Sequence, residues 1–387
     1  MARRSAFALL TLTVASVQFS IAAGQTFFGL TLIAWAATLA VEHRRPSAPR
    51  WVVPLLCYAA WTLVSAAFSP DLARSLLECK QLVLLLLVPV TYEIVDDRSA
   101  LTLTTFLLAA GAVSAVVGIG QYSVLRVDAL DQRVTSTHGI YMTFAGLMML
   151  LLIVALARVL FMSYSRLWPL LVLPALIVVM PLTLARNAWV GTCCAVALLL
   201  VMRDFRLTAA IPVIAAVFFA SAPARVLARF YSIADLQDPS VRDRVAMMRA
   251  GGRILRAHPI VGVGPNMMPT AYPAYRDAGA VLQTPPHLHN VLLQIAAERG
   301  LPALGLWIWF AVSAAGDALE LFRSAPRGGL LQCLSAAALA ALAAMITAGL
   351  FEHNFGDSEF QMIVLVIVTL PFAVAKVPRS ARIAERT

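Results

Sequence analysis

Apolar residues in this chain arrive in unbroken runs of about 16–25, and that pattern leaves few folds open. Twelve such runs fall near residues 5–24, 26–41, 51–67, 81–95, 100–124, 138–161, 167–184, 187–202, 207–223, 302–322, 329–350 and 359–375. Each is close to the length of helix that crosses a hydrocarbon core of about 30 Å. A large soluble core would instead break into shorter amphipathic pieces. Charged residues are 13% and hydrophobic residues 60% of the 387 positions, whereas soluble domains carry about 25% charged residues. Water cannot be the solvent for most of this surface. The pattern predicts an all-α, polytopic membrane protein of about 12 transmembrane helices.

A formal charge of +10 would suit a nucleic-acid binder, but the basic residues lie in short loops between apolar runs, with no basic domain or nucleic-acid motif. Nearly all are arginine, which snorkels and grips phosphate through two N–H groups, so membrane lipids are the expected partners and no nucleic acid is. An N-terminus in the cytoplasm leaves only Arg74, Lys80, Arg126, Arg133 and Arg186 in short outer loops. The remaining short-loop and terminal cations then lie inside, so both termini are expected to be cytoplasmic. Cys57, Cys79, Cys193, Cys194 and Cys333 show no metal-type spacing and read as small core hydrophobes, not a disulfide framework. Met1-Ala-Arg-Arg before an apolar run resembles a signal peptide. With so many spans following, an uncleaved first helix is the expectation.

One connection differs from the rest. Residues 224–288 form a long loop between the ninth and tenth runs, dividing the chain into helices 1–9 (1–223), the loop, and a final section (289–387) with an outer helix, helices 10–12 and a tail. Long ordered loops in economical proteins usually carry function. Ser240 to Ala257 reads as a helix capped by Ser240 and stopped by Pro259, although Gly251-Gly252 weakens it. On that wheel Arg242, Arg249, Arg253 and Arg256 fall within about 60° of one another. Such a stripe is either a solvated or headgroup-facing surface, or a cationic wall for a diphosphate. No internal repeat is evident, which weighs against a transporter.

The groups able to do chemistry gather on the same side as this loop. Gly262-Val-Gly264 follows the arginine helix, but with no strand before it a nucleotide fingerprint is rejected. In Thr284-Pro-Pro-His287-Leu-His289-Asn290, the prolines end extended chain and a helix begins at His289 or Asn290. That helix outruns the bilayer core by Phe322, so it must stand above the membrane or bend at Gly300/Pro302. A helix N-terminus attracts anions and disfavours imidazolium, so His289 is expected to be neutral beside a phosphate, as a general base requires. The plainer alternative is that His289, like His287, His138 and His353, merely caps or packs. Arg186, in a tight turn, is either a snorkelling arginine or a rigidly held phosphate ligand. Asp357-x-Glu359 has the pattern of a divalent-cation pair, but two carboxylates two apart recur by chance, and no metal is expected.

These segments resemble the O-antigen ligase/polymerase superfamily. The resemblance rests on the run from Arg244 through His258-Pro259 to Gly262-Val-Gly264-Pro265, on His289-Asn290, on Glu298-Arg-Gly300-Leu-Pro302, on Arg186-x-x-Trp189, and on Asn354-Phe-Gly-Asp357-Ser. It covers roughly residues 130–365. It implies an inner-membrane glycosyltransferase with a periplasmic active site and no cofactor. The implied donor is an undecaprenyl-pyrophosphate-linked glycan, and the implied acceptor a lipid A–core hydroxyl. Transfer would invert the anomeric centre without a metal. His289 and Arg186 carry over as essential residues. Arg242, Arg244, Arg249, Arg253, Arg256, Arg133, His287 and Asn290 are the expected substrate contacts. Polymerases and protein O-oligosaccharyltransferases of the same superfamily share these motifs. A lipid-linked glycan transporter or a non-catalytic scaffold are the readings from other classes.

Overall fold

Local chemistry sets the helix boundaries in the computed structural model, which describes residues 2–124, 134–232, 239–278, 280 and 282–376. α1 (Ala2–Ser16) ends in a turn, and α2 (Ile21–Glu42) starts where the Ser20 hydroxyl accepts the Ala23 N–H. The first two apolar runs therefore divide at 17–20, several residues before the break expected near 25. Hydropathy does not register a cap. α3 (Val52–Ala67) follows, and then α4 (Leu72–Glu78), a 3₁₀ stretch (Cys79–Leu86) and α5 (Leu87–Ile94) continue as one apolar rod. α6 (Asp97–Val124), α7 (Tyr141–Phe161), α8 (Leu167–Leu182) and α9 (Arg186–Arg203) come next. A 3₁₀ turn leads into α10 (Ile211–Ser221). The long connection holds α11 (Ala224–Tyr231), α12 (Pro239–Ala257) and α13 (Met268–Tyr275). α14 (Val291–Ser324), α15 (Leu330–Gly349) and α16 (Ser358–Ala375) complete the chain.

Among the described residues the fold is helical, without strands, and eight stretches are long and apolar enough to cross a membrane. These are α2, the α4–α5 rod, α6, α7, α9, α14, α15 and α16. Twelve were expected. The shortfall arises because α1 has 15 residues and α3 and α8 have 16 each, fewer than the roughly 20 a span needs. Phe205–Ser221 is likewise a shorter apolar helix. α7, α15 and α16 are largely sheathed by their neighbours.

Contacts sort the turns into two ends. At one, Arg3 donates to the Glu93 carbonyl, Ser47 and Trp35 donate to the Glu93 carboxylate, and Lys376 donates to the Tyr92 carbonyl. At the other, Ser65 and Ser75 of α3 and α4 donate to the carbonyls of Val261 and Pro265, tying the long connection to the bundle. That connection has its own small core. Met247, Ala250 and Ile254 recur at helical spacing on α12 and pack with Met268, Tyr272, Leu288 and Ala297.

α14 bends where its sequence demands. Pro302 has no N–H for the Glu298 carbonyl, and Gly300 takes φ 80°, ψ 172°, a region open essentially to glycine alone. The orphaned groups are adopted by the segment after α12. Val263 N donates to Ala297 O (3.1 Å), Gly264 N to Glu298 O (2.8 Å), and Leu301 N to Pro259 O (2.8 Å). Trp61 Nε1 closes the Arg299 carbonyl at 2.9 Å. A Cβ at Gly300 would lie 1.8 Å from the Ile260 oxygen, and one at Gly262 2.2 Å from the Glu298 carbonyl carbon. Gly262-x-Gly264 therefore serves close backbone approach. Gly300→Ala should lower stability by at least about 1–3 kcal/mol from backbone strain alone. Gly305→Ala, with open space around it, should be neutral or slightly stabilising. Thermal melting of the detergent-purified variants separates the two.

Candidate active site

The end of the bundle that carries the long connection is where the expected site residues meet. Arg186 opens α9 directly after a turn in which Leu184 adopts φ 52°. Its side chain is 7% exposed, and its guanidinium donates to the Ser232 carbonyl (2.8 Å) and to the Ser240 hydroxyl (3.2 Å). Ser240, expected as an N-cap, lies instead in the first turn of α12, which begins at Pro239, and accepts from Arg186. Arg229 of α11 donates to the Leu184 carbonyl at 3.5 Å. Arg186, Arg229, Arg244, Asp243, Asn187 and His289 line one cavity of about 210 Å³, together with Tyr141 and Met142.

The expected arginine stripe does not stay together. Arg244, outside the stripe, faces the cavity. Arg249 and Arg253 turn to Asp277, Arg249 at 3.7 Å, and Arg253 also donates to the Tyr275 carbonyl. Arg242 and Arg256 are exposed and line neither this cavity nor its neighbour. The Arg253 hydrogen bond holds the Asp277 carboxyl below its usual range. A carboxylate between Arg249 and Arg253 offsets their mutual repulsion. Arg133 and Arg126 lie outside the described residues.

The histidine corner is built by the start of α14. Asn290 caps it: its Oδ1 accepts the Leu293 N–H (2.9 Å), its Nδ2 donates to the Leu350 carbonyl (2.9 Å), and Gln294 accepts the Leu288 N–H. His289 sits just before the cap at φ 50°, a left-handed conformation uncommon outside glycine. Its Nδ1 lies 2.9 Å from both oxygens of Glu352, a carboxylate 5% exposed in the turn between α15 and α16. Glu352 also accepts the His353 N–H at 2.9 Å and approaches His287 Nδ1 at 3.6 Å. Phe355 anchors that turn against Trp307 and Phe310, ring centroids 5.6 and 6.4 Å away. With Nδ1 committed to a carboxylate, the proton of a neutral His289 belongs there and Nε2 carries the lone pair.

Electrostatics reinforce this arrangement. Burial alone would raise the Glu352 carboxyl, but the His289 hydrogen bond, with His287 and the His353 N–H, brings it down to about 2. Burial pushes His287 below its ordinary range despite Glu352, and pushes His353 far below, with His287 adding to the effect. Asp357 is engaged elsewhere. Its Oδ1 caps α16 by accepting from Glu359 N and Phe360 N, and its Oδ2 accepts the Thr143 hydroxyl at 2.5 Å. Among the described residues, the metal-like cluster is His287, His289 and Glu352, whose ligand atoms lie within 4.8 Å of one another. Two imidazoles and a carboxylate are suitable zinc donors, although the Glu352–His289 pair is already closed by its own hydrogen bond.

Residues 171–308 match the family model described as O-antigen ligase, a stretch that contains Arg186, the arginine helix and the histidine corner. Over that stretch, about a third of the chain, the sequence is similar to the O-antigen ligase family. No curated protein matches the chain. The O-antigen ligase-like segment stops short of Glu352, which comes from the turn before α16. Sequence reasoning noted that turn's carboxylates but gave Glu352 no role, and it overlooked Arg229 and Asn187. The one signal available was the cost of an acidic residue at the end of an apolar helix, which demands a partner.

The two lowered histidines set a pH dependence. Their folded values lie below the ordinary 6.5, so the unfolded chain binds more protons as pH falls through that region. The stability contributed by their neutral rings is complete above about 6.5 and drains away below it. Glu352 is held below its ordinary 4.5, so its contribution is lost only as pH falls from there towards about 2. Melting temperature should therefore drop between pH 7.5 and 5.5, and His353→Asn should flatten that drop. A profile identical in the variant would remove His353 from the account.

Proposed function

We propose that this chain is an O-antigen ligase. It would transfer a glycan from an undecaprenyl-pyrophosphate-linked donor to a hydroxyl of a lipid A–core acceptor. One observation carries the reading: Arg186, Arg244 and His289, from three separate elements, line a single cavity of about 210 Å³. Two guanidinium groups beside an imidazole match a reaction that releases a diphosphate and deprotonates an alcohol. In this mechanism His289 Nε2 takes the acceptor hydroxyl proton, while Glu352 keeps the ring oriented through Nδ1. The acceptor oxygen bonds to the anomeric carbon from the face opposite the diphosphate, so the centre inverts. The anomeric C–O bond breaks, and its electron pair leaves with the diphosphate. Arg186 and Arg244 hold that growing charge, with Arg229 beside them. Such a leaving group needs charge stabilisation more than protonation, so no metal is invoked.

Topology follows the same proposal. The four shorter apolar helices join the eight long ones in twelve crossings of the inner membrane. The ends bearing Arg3 and Lys376 face the cytoplasm, and the cavity opens to the periplasm, where α11 and α12 form part of its wall. The interlocking of turns into two ends supports this even count. A polymerase of the same superfamily would use the same chemistry on a different acceptor hydroxyl.

The test is transfer by purified protein supplied with lipid-linked glycan and lipid A–core. His289→Ala should reduce turnover about 10²–10⁴-fold, the usual contribution of a general base. Arg186→Lys and Arg244→Lys should each cost about 10²–10³-fold, because a point charge replaces the bidentate fork. Arg256→Lys should be silent. Wild-type turnover should persist in a chelator; its loss would turn His287, His289 and Glu352 into metal ligands. Unchanged transfer by His289→Ala would end the mechanism.

A further inference from the structure

A second cavity, of about 320 Å³, lies beside the first and shares Met142 and Asn187 with it. The Glu352–His289 hydrogen bond crosses the boundary, since His289 lines the first cavity and Glu352 the second. Their charges are opposite. The first holds three arginines and Asp243, whereas the second, among the described residues, has no Lys or Arg in its wall and is lined by Glu352 and by Asp357 with Glu359 hydrogen-bonded to it. A phosphate would be repelled there.

The wall also contains unmet hydrogen-bonding capacity. His287 Nδ1, His353 Nδ1 and Asn354 Oδ1 are buried and have no hydrogen-bond partner among the described residues. Asn354 is only 6% exposed. Burial keeps His287 and His353 neutral at ordinary pH, so they are dipolar partners and not charges. Neutral imidazoles, an amide oxygen, the Glu352 carboxylate and the hydrogen-bonded Asp357–Glu359 pair together suit a ligand rich in hydroxyls, which both donate and accept. The remaining wall, including Ile140, Met149, Ala348 and Phe360, is apolar and matches the C–H faces of a sugar ring. The volume falls at the lower end of small-molecule sites, which run about 300–1,000 Å³.

We infer that this second cavity is the acceptor subsite, and that it admits an uncharged, hydroxyl-bearing sugar ring while rejecting a phosphorylated one. The inference rests on the glycosyl-transfer reading and names its acceptor chemistry. The sugar sits on the carboxylate side of the wall, and its reacting hydroxyl passes over Met142 and Asn187 to His289 Nε2. Charge thus sorts the two substrates: the anionic leaving group to the arginine cavity, the neutral nucleophile to the other. Any phosphate on the acceptor glycolipid must lie outside.

Binding tests this without requiring turnover. Full-length protein in nanodiscs is titrated with an alkyl hexoside, its 6-phosphate ester, and inorganic pyrophosphate. The hexoside should bind equally well with and without saturating pyrophosphate, and the phosphate ester should bind at least about tenfold more weakly. Glu359→Lys should weaken the hexoside about tenfold and reduce discrimination against the ester, leaving pyrophosphate affinity unchanged. Competition between hexoside and pyrophosphate, equal affinity for the ester, or insensitivity to Glu359→Lys would each overturn the subsite. Independent binding of both probes with no product from a lipid-linked donor would instead overturn the transfer reading, leaving a neutral-sugar site without an acceptor role.

Discussion

A helix broken inside an apolar bundle must find partners for the backbone groups it releases, because hydrocarbon offers none. Much of this architecture answers that requirement at Gly300. Once Pro302 deprives the Glu298 carbonyl of its N–H, the segment 259–264 is drawn against α14 to replace it. Ser65 and Trp61 of α3 complete the set. The long connection is therefore bonded into the bundle at the level where α14 changes direction. α12 leads straight into that segment, so the same contact fixes where Arg244 points. The upper arm of α14 starts at Asn290, so it also fixes His289.

The consequence for chemistry is preorganisation. Arg186 is held by Ser232 and Ser240, His289 by Glu352, and the Glu352 turn by Phe355 on Trp307 and Phe310. Groups aimed beforehand at a developing charge stabilise it without reorganising. Left-handed φ at Leu184, two residues before Arg186, and at His289 itself is the type of local strain that concentrates at functional sites.

Much of this was legible in the sequence, for identifiable reasons. Helices declared themselves through apolar runs, and the bend in α14 through Gly300-Leu-Pro302 together with its length. The cap at Asn290 was readable from residue type. Less was legible in the arginine helix. Wheel geometry grouped Arg242, Arg249, Arg253 and Arg256, but a wheel does not say which way a face points. Met247, Ala250 and Ile254 decide the buried face, which leaves Arg244 on the cavity and Arg249 and Arg253 on Asp277. Glu352 was hidden for another reason. It lies 63 positions from His289, and no local pattern links two residues that meet only when α15 returns the chain to the same end of the bundle. The short helices α1, α3 and α8 show the converse limit, where hydropathy ran past caps and turns that shorten them.

The central claim is that Arg186, Arg244 and His289 grip one diphosphate. The most direct measurement is a cryo-EM structure with a non-hydrolysable undecaprenyl diphosphate sugar bound. The account predicts diphosphate density within hydrogen-bond distance of Arg186 and Arg244, with the anomeric carbon facing His289 Nε2. Diphosphate seated at Arg249, Arg253 and Asp277, away from the histidine corner, would contradict it.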